Sequence, residues 1–544
     1  MNQDKTVAVQ VIQALKELGV QYVFGVPSGA WIDYMEAIRV TPGIEFILTS
    51  HEGGAAFMAE TTGRLTGVPG VCFGTFGPGA TNLSTGVGCA YLDRSPMIVL
   101  TDEMPTDKRH RNIQMNIDHQ ALFSPITKQT THLEVGKVQE IIFSAAHIAL
   151  TGKQGPVHIG LPQGISHIKT DEISQAPLAR LKQQRASADV IERMQALLKL
   201  SKFPIIALGL RAKDIEITVR DELLNFVEKH NIPVVLTPMA KGIIDESHPC
   251  YAGVLFHALS NEVGKTHQQA DLVIAIGYDE VEFNFEQWLP KAPLIGIDIE
   301  ATDIDVNEYD LACDVIGEIN FSVKQLLLVN DLKKGWQMEQ LIARKLAIFK
   351  QLQPQNNSFG PCTALDILRK HLPLNGIMTS DVGAHLHLIG QKWLTPDINR
   401  QLMTNGWSSM GYAIPSAIAA KLNYPNTPVC AVIGDGGFLM TVGEIAVAVR
   451  EKLNIVFVLF TDNDLALIRI KQEKKSNPIY GTQIREQGTI GCDNLFGAKV
   501  ITAKDSIEFE LALEQAFASD GPVIVEALLD PKEYDSLVLK ADKP

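Results

Sequence analysis

The stretch from Cys430 to Asp464, CAVIGDGGFLMTVGEIAVAVREKLNIVFVLFTDND, restricts the fold of this chain more than any other. Cys430 to Ile433 is a short apolar run that breaks into Gly434-Asp435-Gly436-Gly437, where glycines let the backbone turn sharply and come close to a ligand. Thr441 and Glu444 have capping-box spacing, which predicts a helix starting near Thr441. Asn454 to Phe460 is a second buried strand. In a parallel β-α-β unit both strands end on one side, so Asp462 and Asp464 arrive at the same sheet edge as Asp435. Carboxylates beside exposed glycine amides suit an octahedral magnesium ion that also holds phosphate oxygens. A lone G-D-G is a common turn. The information lies in its combination with the strand–helix–strand unit and with Asp462, 27 residues after Asp435.

Other strand–helix alternations extend this unit over the whole chain. Thr6 to Leu18 has helical apolar spacing and is followed by strand Tyr22–Phe24, which runs into Gly25-Val-Pro27. Strands are predicted at 44–48, 71–73, 97–101 and 155–162, with the glycine-rich Gly77-Pro-Gly-Ala-Thr-Asn82 among them. A polar segment around 168–190 separates this part from strands at 203–208, 233–236, 272–276 and 294–298. A second polar connector, 353–361, precedes Met378 to His385, the opening stretch and a last strand at 521–526. The rhythm predicts an α/β protein of three doubly wound, Rossmann-like domains with parallel sheets, at 1–170, 188–340 and 355–544. The polar, glycine-containing stretch from Tyr480 to Ile490 has the composition of a mobile cover.

A length of 544 residues fits three domains, and 46% hydrophobic with 20% charged residues describes a globular chain. Lysine and arginine number 48 against 62 acidic residues, and the resulting net charge of −14 argues against nucleic acid as a partner. Seven scattered cysteines without any C-x-x-C read as buried apolar residues of a reducing compartment. No signal peptide is recognisable at the amino terminus, and every apolar run is too short to cross a bilayer, so a cytoplasmic protein without a membrane partner is expected.

G-D-G followed at this spacing by N-N or N-D resembles the signature of thiamine-diphosphate enzymes, with Thr461 standing where the first Asn is usual. H-E-G-G-A-A-F-M-A-E, from His51, resembles the H-E-x-x-A-A-x-M-A segment of the acetolactate synthase branch, and T-F-G-P-G-A-T-N-L resembles its T-S-G-P-G-A-T-N-L. The resemblance spans nearly the full chain. It implies pyrimidine-binding, middle and diphosphate-binding domains in that order. Glu52 becomes the activator of thiamine diphosphate, through a hydrogen bond to its aminopyrimidine. Asp435, Asp462 and the backbone near Asp464 become the Mg²⁺ ligands. The remaining implied cofactor contacts are Gly25, Pro27, Gly383, Ala384, His385, Ser408, Gly434, Gly436 and Gly437, with Met410 as the bulky prop beneath the cofactor. Gly277-Tyr-Asp-Glu-Val-Glu282, with Trp288 beyond, resembles the flavin-free, catabolic members, so FAD is not expected.

The same comparison marks departures around the substrate. The segment G-I-P-G-A-K becomes Gly25-Val-Pro-Ser-Gly-Ala-Trp31, a Gln becomes Met115, and M-V-A-F-Q-Q becomes Leu467-Ile468-Arg-Ile-Lys471-Gln. Trp31, Met115, Leu467, Ile468 and Lys471 are therefore the candidate substrate residues, with Arg469 or Lys471 available to an acceptor carboxylate. The implied reaction is decarboxylation of a 2-oxo acid and acyl transfer to an aldehyde or 2-oxo acid. Simple decarboxylation, or cleavage of another acyl donor without carboligation, stays open, as does a cofactor-binding paralogue without turnover. The family further implies a homodimer or homotetramer with sites between subunits.

Overall fold

The computed structural model describes residues 6–170, 176–179, 183–282, 292–354, 358–485 and 489–538. Trp288, Glu486–Gly488 and parts of both expected connectors lie outside them. Three sheets follow one another along the chain. The first contains β1 (Tyr22–Gly25), β2 (Glu45–Leu48), β3 (Gly70–Gly74), β4 (Met97–Glu103), β5 (Gln129–His132) and β6 (Pro156–Pro162), in the order β2-β1-β3-β4-β6-β5. The second contains β7 (Pro204–Leu208), β8 (Val234–Leu236), β9 (Tyr251–Val254), β10 (Leu272–Ile276), β11 (Leu294–Asp298) and β12 (Leu311–Ile316), in the order β12-β11-β10-β7-β8-β9. The third contains β13 (Ile377–Ser380), β14 (Gln401–Leu402), β15 (Val429–Gly434), β16 (Ile455–Thr461), β17 (Asn494–Leu495), β18 (Ala498–Ala503) and β19 (Val523–Leu528), ordered β14-β13-β15-β16-β19-β18-β17. Neighbouring strands are parallel except β17 and β18. The expected architecture of three parallel α/β sheets is therefore observed.

Parallel strands covered by helices on both faces are apolar along their whole length. Accordingly β10, β11 and β16 are buried at every residue. The first and third sheets share one winding: β2-β1-β3-β4 matches β14-β13-β15-β16. In such sheets ligands bind beyond the carboxyl ends of the strands where the order reverses, here between β1 and β3 and between β13 and β15.

One local expectation holds only in part. A helical turn starts at Val442, after Thr441, and runs on into helix Ile445–Arg450, but the Thr441 side chain makes no capping bond, and an unexpected helix, Asp435–Thr441, comes first. Gly434 is the extended residue before it, and the Asp435 carboxylate accepts from the Gly436 amide at 2.9 Å. That satisfies the first turn, so no capping box is needed further on. Glu444 instead leaves its own helix: its carboxylate accepts from the amides of Ser50 (3.1 Å) and His51 (3.0 Å) of the first domain. A Cβ on Gly54 would fall 2.3 Å from the Glu444 Oε1, so that helix approaches Glu444 only as glycine.

Buried polar contacts lock the domains together. Helix Glu52–Thr66 packs on helix Ala413–Asn423, where the Tyr412 hydroxyl donates to Glu60 at 3.1 Å and Thr61 meets Ser416 at 2.8 Å. Between the middle and third domains Lys241 pairs with Glu246 at 2.8 Å and donates to the Trp393 carbonyl, while Glu246 accepts from the Thr395 amide. Both side chains of that pair are almost fully buried, 1% and 2% exposed. Removing one partner strands a buried charge. Lys241→Met is expected to lower stability by about 3–5 kcal/mol in urea unfolding, and a loss below about 1 kcal/mol would show that the pair does not hold the junction.

Candidate active site

The third sheet builds a cavity of about 250 Å³ at its order reversal. Its floor is the turn after β13, with Val382, Gly383, Ala384 and His385, facing Gly434, Asp435, Gly436 and Gly437 after β15. Asp462 and Asp464 follow β16, Ser408 and Met410 come from the preceding loop, and Leu465 to Ile468 form an apolar wall with Phe460 and Tyr534. Every residue expected of the third domain's cofactor set therefore lines one cavity. Left-handed backbone recurs at this site: Ser408 has φ +52°, and Asn463, between Asp462 and Asp464, has φ +60°. Such conformations cost of order 1 kcal/mol each and persist where the surroundings fix them.

Hydrogen bonds set the geometry. The Asn463 amide donates to Asp435 Oδ2 at 2.7 Å, which ties the end of β16 to the glycine turn. Asp381 is fully buried and accepts from the amides of Val382 (2.8 Å) and Gly411 (2.9 Å), which fixes the loop carrying Met410. A Cβ on Gly437 would meet Asp381 Oδ2 at 2.3 Å, and one on Gly436 would meet the Met410 methyl carbon at 2.9 Å. The glycines leave the space in which their amides stay accessible.

The electrostatics of the cavity are those of a cation site. Burial raises the Asp435 carboxyl, and burial together with the neighbouring Asp435 pushes Asp462 up to about 7. Two carboxylates that resist ionising beside each other are relieved by a divalent ion. Asp464 Oδ1 and His385 Nε2 are buried there without a hydrogen-bond partner among the described residues. Burial holds His385 down at about 4, so its ring is neutral. These orphaned atoms and the glycine cradle fit a metal diphosphate.

The first domain's candidates lie elsewhere. Glu52 opens helix Glu52–Thr66 and accepts from Asn82 Nδ2 at 2.9 Å. It does not line the cavity, and neither do Gly25 and Pro27 at the end of β1. Met115 is 41% exposed, has φ +64° and lies against Gly77 in the first domain.

Two substrate expectations, Trp31 and Arg469, are corrected. Trp31 is fully buried in the first domain's core, stacked on Phe73 (3.9 Å between ring centroids) and Tyr34 (4.5 Å), so it presents no surface to a substrate. Lys471 is exposed one turn beyond the wall formed by Leu467 and Ile468, outside the cavity of the single chain, which leaves its expected role untested. Arg469 is spent on three carboxylates, Asp464 (3.1 Å), Glu473 (2.8 Å) and Asp535 (2.9 Å). The expected cover at 480–490 is also tied down where it is described: the Leu465 amide donates to the Thr482 carbonyl at 2.8 Å and the Ile484 amide to Asn463 at 2.9 Å.

Sequence reasoning missed Asp381, Phe460, Tyr534 and Glu444. An acidic residue directly after an apolar strand and before V-G was the available signal for Asp381. Tyr534 had none, because it comes from a terminal helix, Lys532–Leu537, more than 70 residues beyond Asp462.

Two α/β domains of one winding, the last with a glycine-lined cavity carrying Asp435 and Asp462 and the first with Glu52 buried at a helix start, point to a cofactor-dependent enzyme class. Family models identify it. The description "Thiamine pyrophosphate enzyme, N-terminal TPP binding domain" matches residues 5–122, the central domain of the same enzymes matches 191–326, and their C-terminal TPP binding domain matches 381–527. The chain is 31% identical to a probable acetolactate synthase large subunit of Methanocaldococcus jannaschii, over 97% of this chain and 92% of that protein. It is 29% identical to the acetolactate synthase of Bacillus subtilis over 98% and 94%, and 29% identical to the acetolactate synthase large subunit of Lactococcus lactis over 96% and 92%. The chain belongs to the thiamine pyrophosphate enzyme family and is a thiamine-diphosphate-dependent enzyme.

Proposed function

We propose that this enzyme decarboxylates a 2-oxo acid and transfers the remaining acyl unit to an aldehyde or second 2-oxo acid, with Mg²⁺ and thiamine diphosphate held between two copies of the chain. The observation that carries the reading is the division of the site: the residues read as the metal-diphosphate cradle all come from the third domain, and Glu52 is not among the residues that line its cavity. The first domain of a second copy supplies Glu52 to each cradle.

Asp435, Asp462 and the backbone at Asp464 would hold Mg²⁺, the amides of Gly383 and Gly437 the diphosphate, and Met410 the angle between the cofactor rings. When bound, thiamine diphosphate supplies an acidic thiazolium carbon that adds to a carbonyl and accepts the electron pair released with carbon dioxide. Glu52 holds a proton at the aminopyrimidine nitrogen, and Asn82 keeps its carboxylate oriented for that exchange. Leu465 to Ile468 exclude water and favour an apolar acyl group over a charged one.

The middle domain is read as structural, without FAD. At its order reversal, between β7 and β10, Arg211 is paired with Asp298 and Asp279, and Asp279 also holds Arg94 of the first domain at 2.7 Å. Glu282 accepts from the Leu210 and Met239 amides, both at 3.0 Å. The space directly beside Arg211 is about 140 Å³. All seven cysteines are unpaired and six are buried, which supports a reducing, cytoplasmic setting. No helix among the described residues is long and apolar enough to cross a membrane.

Incubation with pyruvate, Mg²⁺ and thiamine diphosphate tests the reaction. Acetolactate is the expected product. Acetaldehyde alone would assign a simple decarboxylase, and no consumption of pyruvate or of a panel of longer 2-oxo acids would overturn the reading.

A further inference from the structure

The carboxyl end of β4 carries a cluster that resembles a metal triad. Glu103, His119 and His158 are buried and place ligand atoms within 4.8 Å of one another. The Thr101 hydroxyl sits between the two rings, however, 2.9 Å from His119 Nδ1 and 2.8 Å from His158 Nε2. Glu103 is taken by Gln120 (2.7 Å), His132 (2.6 Å) and Arg109 (3.2 Å). Hydrogen bonds, not a vacant coordination site, fill the cluster.

Their direction follows from one end. The Gly77 amide can only donate, and it reaches His119 Nε2 at 3.2 Å, so that nitrogen is the acceptor. His119 Nδ1 therefore carries the proton and donates to Thr101, whose hydroxyl donates in turn to His158 Nε2. The proton of His158 then lies on Nδ1, which is buried without a partner. Burial holds both imidazoles below their ordinary pKa, so the chain stays neutral around pH 7, with Glu103, Asp118 and Arg109 as the charged neighbours and the His132 ring beside Glu103.

The Gly77 turn touches the two residues that matter on this side of the site. Gly77 has φ +54°, and a Cβ there would meet the Met115 carbonyl at 2.8 Å. Two residues on, a Cβ at Gly79 would stand 3.3 Å from Glu52 Oε1. We propose that His119 is a positioning residue: through the Gly77 amide it seats the turn between Glu52 and Met115, and so sets where the substrate lies relative to Glu52. The role rests on the proposed function above, which puts Glu52 at the reacting centre, and on Met115 as the substrate residue expected from the sequence.

The test compares His119→Gln, whose side-chain oxygen can accept from Gly77 while its amide donates to Thr101, with His119→Phe, which fills the space and cannot accept. In the thiamine-diphosphate-loaded enzyme, His119→Phe is expected to raise KM for the 2-oxo acid about five- to tenfold, the worth of one net hydrogen bond, with cofactor affinity and thermal midpoint near wild type. His119→Gln is expected to restore KM to within about twofold. Amide hydrogen exchange at Gly77 reads the bond without turnover: it is expected to speed up in His119→Phe and not in His119→Gln. If wild type turns over no 2-oxo acid but Gly77 exchange behaves as stated, the latch stands and the proposed reaction fails. Unchanged Gly77 exchange and KM in folded His119→Phe, or failure of Gln to restore them, would overturn the inference.

Discussion

Glu52→Gln is expected to slow turnover by on the order of 10²–10⁴-fold, the usual worth of a positioned proton-transfer group. The substitution conserves volume, and the new amide can still meet Asn82, which now donates to Glu52 at 2.9 Å. Helix Glu52–Thr66 keeps its other supports, the Glu444 carboxylate at its start and Glu60, Thr61 and Arg64 further along. A large loss therefore reports lost chemistry and not a collapsed helix. The direct readout is exchange of the thiazolium proton for deuterium in the bound cofactor. An exchange rate equal to wild type would remove Glu52 from its proposed role.

Asp435→Asn is expected to weaken Mg²⁺-dependent retention of thiamine diphosphate by on the order of 100-fold or more, since loss even of an outer-shell partner of a metal costs 10–100-fold. Asparagine can still accept from the Asn463 and Gly436 amides, which lie 2.7 and 2.9 Å from the Asp435 carboxylate, so the turn survives while its charge is lost. Cofactor release during gel filtration in Mg²⁺ buffer measures the effect. Unchanged retention in the variant would refute the anchor.

Much of this was legible in the sequence because parallel sheets write themselves as continuous apolar runs. Strands such as Leu272–Ile276 and Leu294–Asp298 are buried on both faces and were read at their observed bounds. Edge strands carry no such signal. Gln129–His132, QTTH, is partly exposed throughout, and its place in the sheet comes from pairing with β6 alone. The third domain's half of the site was readable because its residues follow strands within short local motifs. Glu444 was misread as a cap since its true partners, Ser50 and His51, lie more than 390 residues away. Trp31 was misread for the reverse reason: it follows a turn that departs from relatives, and only the stacking of Phe73 and Tyr34 around it shows that it belongs to the core.

The division of the site between copies is the claim on which the function rests, and mixing two inactive variants tests it. Glu52→Gln chains keep an intact cradle, and Asp435→Asn chains keep an intact Glu52. Co-expressed at equal amounts and paired at random, about half of the dimers are mixed and each holds one intact composite site. Activity is then expected to recover to about one quarter of wild type. No recovery beyond the sum of the two variants, with mixed dimers demonstrably present, would place both halves of the site within a single chain and contradict the assignment.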